Sequence, residues 1–159
     1  QRQMCIRDRL LAGQSAGLLI NESKKGYPIL IVHEVTVEEV RAQKLNELRL
    51  YDSSEAVNQF SIDNVSGWWN KATRVGLMNS IAIEKASGRT ETNIWLDNTL
   101  FVLPVEKAID MLQQIELYAL MCYNTTQGHI NAINQLETKE EIEVYNFKTG
   151  YPGKLNFIG

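Results

Sequence analysis

Between Pro104 and Leu136 small and apolar residues recur at near-heptad spacing. Ala108, Leu112, Ile115, Ala119, Cys122, Thr126, His129, Ile133 and Leu136 are separated by 4, 3, 4, 3, 4, 3, 4 and 3 positions. That spacing predicts one long helix with a single packing seam, which Val105, Ile109, Leu120 and Ile130 widen. Pro104 suits its first position, where a missing N–H costs nothing. Gly128 and the run Asn124-Thr125-Thr126 weaken it. Earlier in the chain, residues 10–26 read as loop. Tyr27 to Val35 reads as a strand containing His33, which is expected to be half-buried. Thr36-Val37-Glu38-Glu39 has the form of a capping box, so a helix should run from there to about Tyr51. Its inward side would be Val37, Val40, Leu45, Leu48 and Tyr51.

After Asp52-Ser53-Ser54 the period changes from helical to alternating. Phe60-Ser61-Ile62, the turn Asp63-Asn64 and the return to Gly67-Trp68-Trp69 predict a hairpin. Asn70 can cap a helix filled by Ala72 to Ala86, with Val75, Met78, Ile81 and Ala82 inward, and Ser87-Gly88 closes it. The same grammar then repeats. Ile94-Trp95-Leu96, the turn Asp97-Asn98 and Leu100 to Leu103 form a second hairpin, and the long helix follows. The two Asp-Asn turns lie 34 residues apart. The expected fold is α+β: two consecutive ββα units forming a small antiparallel sheet covered by helices, with a long C-terminal helix. Thr138-Lys139-Glu140-Glu141 is a second capping box for a short helix to about Tyr145. Thr149 to Gly153 is a turn, and Leu155 to Ile158 has strand character. The organisation read from these patterns is an irregular start at 1–26, a strand and helix acting as a linker at 27–52, and an α+β domain at 53–159.

Composition changes this picture little. A chain of 159 residues with 44% hydrophobic residues can bury a core without a metal or disulfide. A net charge of −3 does not favour nucleic acid or an anionic membrane. Cys5 and Cys122 give no disulfide framework. Gln1 to Arg9, QRQMCIRDR, resembles the peptide that arises when sequencing-adapter DNA is translated at a contig end, so these residues are expected to lie outside the fold. No targeting segment is recognised.

The sequence offers little catalytic chemistry. It has two histidines and no HExxH, CxxC, GxSxG or P-loop pattern. Cys122 and His129 share a helical side about 10.5 Å apart, too far to act as a pair. Glu140, Glu141 and Glu143 read as a solvated acidic face. No enzyme activity, cofactor or metal is expected. Two features keep binding in view. From Leu117 to Leu136 there is no Asp, Glu, Lys or Arg. Such a segment is either buried within its own domain or packs against a second chain, because interface cores are depleted in charge. It is too polar for a membrane span. Ala119, Thr126, Asn131 and Ile133 are the candidate interface residues. Separately, Trp68, Trp69, Arg74 and Arg89 are candidates for a surface that stacks on nucleobases or sugars. The competing reading makes the tryptophans core anchors and the basic residues solvated.

The segment from Tyr51 to Phe157 resembles a phage and prophage family of gut Bacteroidales, domain of unknown function 4376. YDSSEAVNQFSID, WWNKATRVGLMNSIAIEKASGRTETNIWLDN, LPVEKAIDMLQQIELYAL, the Cys-Tyr-Asn-Thr-Thr segment with His129, and the closing Glu-Glu-Ile-Glu and Gly-Tyr-Pro-Gly-Lys-Leu carry the resemblance. They cover roughly two-thirds of the chain. The resemblance implies a virion-associated or tail-assembly setting beside tail, baseplate or fibre proteins. It supplies no catalytic residues. The expectation is a non-enzymatic phage tail or tail-fibre-associated domain acting by protein–protein contacts with tail or baseplate proteins or, as a homo-oligomer, with further copies of itself, in the virion or in the host cytoplasm during assembly. The alternative is a nucleic-acid- or glycan-binding module using the Trp and Arg residues.

Overall fold

A computed structural model describes residues 18–22 and 28–159, with side chains from residue 32 onward. The adapter-like start and Cys5 lie outside the described residues. Strand β1 (Leu18–Glu22) pairs antiparallel with β2 (Pro28–Val32), so part of the stretch expected to be loop is a strand. Helix α1 (Val37–Asp52) follows. The Thr36 hydroxyl accepts from the Glu39 N–H at 3.2 Å, half of the expected capping box. The other half is diverted, because the Glu39 carboxylate meets His33 Nε2 at 2.7 Å instead.

The two ββα units are present. The first comprises β3 (Phe60–Ile62), β4 (Val65–Gly67) and α2 (Lys71–Ala86). The second comprises β5 (Glu91–Leu96), β6 (Thr99–Pro104) and α3 (Val105–Gln135). A short α4 (Lys139–Val144) and β7 (Asn156–Phe157) complete the chain. Both turns have left-handed backbone at both central residues: φ is 46° and 68° at Asp63 and Asn64, and 43° and 61° at Asp97 and Asn98. These are the twisted two-residue turns that match the strands' own twist, and Asp and Asn tolerate that region better than other side chains.

The hairpins do not merge into one hydrogen-bonded antiparallel sheet. β7 adds to β3 in parallel, giving the order β4-β3-β7, and β5-β6 stands apart. Two contacts at the junction explain the separation. The Trp95 carbonyl on β5 accepts from the Trp69 indole N–H at 3.1 Å, where a neighbouring strand would otherwise bond. Gly67 lies so close to Leu96 that an added Cβ would fall 2.5 Å from its Cδ1. Side-chain packing therefore joins the two hairpins.

Helix α2 ends as expected, with Gly88 at φ +83°. The Arg89 N–H bonds the Glu84 carbonyl and the Gly88 N–H bonds that of Lys85, the paired bonds of a Schellman end. Its inward side differs from expectation at two of the four positions. Arg74, Leu77, Met78 and Ile81 face the interior, while Val75 and Ala82 are exposed. The capping box at Thr138 and Glu141 is complete. Helix α1 shares a core cluster with α3 and the C-terminal segment through Val40, Leu48, Ile133, Ile142 and Phe147. The helix read as part of a linker is thus packed into the domain.

The turn geometry yields a stability prediction. Asn98→Ala should cost about 1 kcal/mol by forcing a Cβ-bearing residue without a local hydrogen-bonding group into left-handed backbone. Asn98→Gly should lose nothing, since Gly is favoured there. Urea denaturation of both variants checks this; equal losses would mean the turn backbone is not the constraint.

Candidate interaction surface

The N-terminus of α2 is fixed by Asn70, whose side chain accepts from the Thr73 N–H at 2.8 Å. This orients the first turn so that Arg74, only 6% exposed, points inward. Its Nη1 donates to the Trp69 carbonyl at 2.7 Å and its Nε to the Glu116 carboxylate on α3 at 2.5 Å. The guanidinium lies 5.0 Å from the centre of the Trp68 ring. Trp68 in turn packs edge-on against Phe60 and Tyr118. A planar guanidinium can serve a carbonyl, a carboxylate and a ring face together.

These bonds correct the expected ligand surface. Trp69 and Arg74 are buried, and Trp68 is half-buried beneath the guanidinium. Arg89 lies beyond the opposite end of α2, roughly 22 Å along the helix from Arg74, and pairs with Glu84 at 3.1 Å. The four residues therefore do not form one surface. Trp95 is the exposed tryptophan, beside Leu100 and Val102 on the outer side of β5–β6.

The expected interface residues also divide. Ile133 is fully buried in the α1–α3 cluster. Thr126 is buried and donates to Asp52 at 2.6 Å while meeting the Tyr151 hydroxyl at 2.9 Å. Neither can touch a second chain unless the domain opens. Ala119 is half-buried, and Asn131 is exposed. Around Thr126 the buried side of α3 is a polar seam. Tyr118 donates to the Val57 carbonyl at 2.6 Å. Burial raises the ionisation ranges of Tyr118, Cys122 and Tyr151. His129 is held between the Tyr145 hydroxyl and the Thr149 carbonyl, each at 2.8 Å. Cys122 is thus buried in the interior seam, as the spacing suggested, while His129 is half-buried at its edge.

The opposite side of α3 is open. Leu117, Leu120, Met121 and Tyr123 are each more than half exposed. Asn124, Gln127, Gly128 and Asn131 continue that side. No heavy atom would lie within 4 Å of a Cβ added to Gly128. Along one flank runs a depression of about 380 Å³ between α2 and α3, lined by Lys71, Arg74, Glu116, Ala119, Leu120 and Tyr123. The outward side of α2 from Val75 to Ile83 is also uncharged, though its side chains are mostly small. Leu120 was expected to widen the buried stripe. Its position two residues before Cys122 is the contrary signal, because a two-residue step turns about 200° around a helix.

Among the described residues no helix is long and apolar enough to cross a membrane. Among the same residues no group of three His, Cys, Asp or Glu side chains could hold a metal ion. Compared with family models, curated proteins and solved structures, the chain finds no match in any of the three.

Two outcomes follow from the buried side. Arg74→Ala should cost about 2–4 kcal/mol, by leaving the Trp69 carbonyl unpaired and a gap over Trp68. Arg74→Lys should recover less than half, because a single ammonium cannot replace the fork. Denaturant midpoints read both. In a Cys5→Ser chain, Cys122 should resist a thiol reagent at pH 8 and react at the rate of global unfolding. Fast labelling of the native state would show that the seam opens locally.

Proposed function

We propose that this chain is a non-enzymatic structural or assembly domain that works through protein–protein contacts made by the open side of α3. The observation that carries the reading is the exposure of Leu117, Leu120, Met121 and Tyr123 within a segment free of charged residues. Contiguous exposed apolar side chains with polar neighbours are typical of interaction sites. Interface cores are poor in charge and rich in aromatic residues and Met. The proposed setting, association with tail, baseplate or fibre proteins, in the virion or during assembly in the host cytoplasm, rests on the resemblance alone, since no family model matches the chain.

The nucleic-acid- or glycan-binding alternative draws less support. Arg74 is engaged by Glu116 and the Trp69 carbonyl, and Arg89 is distant from the Trp68 and Trp69 pair.

The test is co-purification of the full chain with phage tail and baseplate proteins co-expressed with it. Leu117→Glu with Leu120→Glu should abolish association while lowering the melting temperature only slightly, since both side chains are more than half exposed. Leu100→Glu, on the exposed side of β6, is the control and should bind normally. Unimpaired association by the double variant would overturn the reading. Ile133→Glu should instead unfold the domain, with a loss above about 4 kcal/mol for a buried unpaired charge.

A further inference from the structure

The open side of α3 also carries a pattern that selects its partner, and this step rests on the contact reading above. We infer that α3 pairs with α3 of a second copy of this chain, antiparallel, about a two-fold axis at Asn124. In such a contact each residue a given number of positions before Asn124 meets the partner residue the same number after it. Leu120 then lies four residues before the axis and enters the partner's hole formed by Asn124, Gln127, Gly128 and Asn131. Leu117 lies seven before it and enters the next hole, formed by Gly128, Asn131, Ala132 and Gln135. These are the i, i+3, i+4, i+7 holes of knobs-into-holes packing.

Three facts fit this arrangement. The large exposed side chains precede Asn124, whereas the holes after it are lined by amides and small residues. Gly128 borders both holes and has open space where its Cβ would be, so it leaves room for both leucines. An exposed glycine inside a helix otherwise costs about 1 kcal/mol with no return. The third fact is electrostatic. A two-fold contact sets the same surface against itself, so charges on it would repel unless exactly offset. From Leu117 to Gln135 no such charge exists. The amide of Asn124, on the axis, can both donate and accept, and so can bond to its own copy; those of Gln127 and Asn131 line the holes without adding charge.

Solution mass by light scattering at the highest soluble concentration is the first readout, with twice the chain mass expected. Leu120→Glu should weaken the dimer roughly 100-fold or more, by burying two unpaired charges, and should melt like the parent when both are dilute enough to be monomeric. Geometry is read by oxidation in a Cys5→Ser background. Asn124→Cys alone should form an interchain disulfide. Leu117→Cys alone should not, because its two copies would be roughly 21 Å apart along the axis, beyond disulfide reach. The pair Leu117→Cys with Asn131→Cys should cross-link. A monomer at every concentration would overturn the self-pairing. So would equal cross-linking of Asn124→Cys and Leu117→Cys, which means a parallel pair. If the chain is monomeric yet Leu117→Glu with Leu120→Glu abolishes co-purification, the contact reading survives and only the self-pairing fails. If that variant leaves every association intact, both fail.

Discussion

The buried side of α3 is the constraint on which the other elements depend. Its first half, Val105, Ala108, Met111, Leu112 and Ile115, closes the core under the two hairpins and α2. Its middle, Tyr118 and Cys122, packs with Val57. Its last turns place Ile133 among Val40, Leu48, Ile142 and Phe147. A helix of 31 residues spans about 46 Å, more than any one of these clusters needs. Trp68 and Tyr51 each touch two clusters, so the three are continuous along the helix. Each large apolar side chain on this side contributes about 1.5–3 kcal/mol by leaving water. That total easily outweighs the loss from Gly128, so the helix runs unbroken through a segment of weak intrinsic propensity.

The clamp around Arg74 is the second organising contact, and it depends on the first. α3 supplies Glu116, and the hairpin preceding α2 supplies Trp68 and the Trp69 carbonyl. One side chain thus ties the first ββα unit to the second. The Trp69 indole extends the link by capping the Trp95 carbonyl on β5. A sheet continuous across both hairpins would need that carbonyl for a strand.

Most elements of the fold were legible in the sequence because they rest on local chemistry. Asp-Asn turns, Thr and Asn caps and the Gly88 stop each act over three or four residues, and each is realised within a residue or two of expectation. The misreadings arose where a side chain takes an unusual role. Arg74 sits on the inner side of α2, so an apolar stripe chosen without it rotated by one position and placed Val75 and Ala82 inward. Leu120 looked like core because it is Leu, whereas Tyr118 and Met111 take the buried positions beside the seam. β1 was missed because Leu18-Leu19-Ile20 stands among Gly and Ser, and its pairing with β2 is a long-range fact. The parallel addition of β7 is long-range in the same way. For the candidate surface, the missing charge was visible in the sequence, but not which side of the helix was bare. Burial of Ile133 and Thr126 depends on α1 and the C-terminal segment, which periodicity alone cannot place.

The composition of the bare side is a choice that α1 does not share. The outward side of α1 carries Glu38, Glu39, Glu47 and Arg49, the usual solution for a helix facing water. α3 carries charges too, at Glu106, Lys107 and Asp110, and stops after Glu116. Replacing charges by Asn and Gln gains no helix propensity, since Asn ranks below Lys, Glu and Arg. It gains no solubility either, and exposing Leu117, Leu120 and Met121 reduces it. Those costs fall on the segment that begins where the Arg74–Glu116 pair ends. A surface with amides, a glycine and large apolar side chains is poorly suited to water but well suited to a dry contact. There, amides find partners, charges would be stranded, and a missing Cβ becomes room for a neighbour.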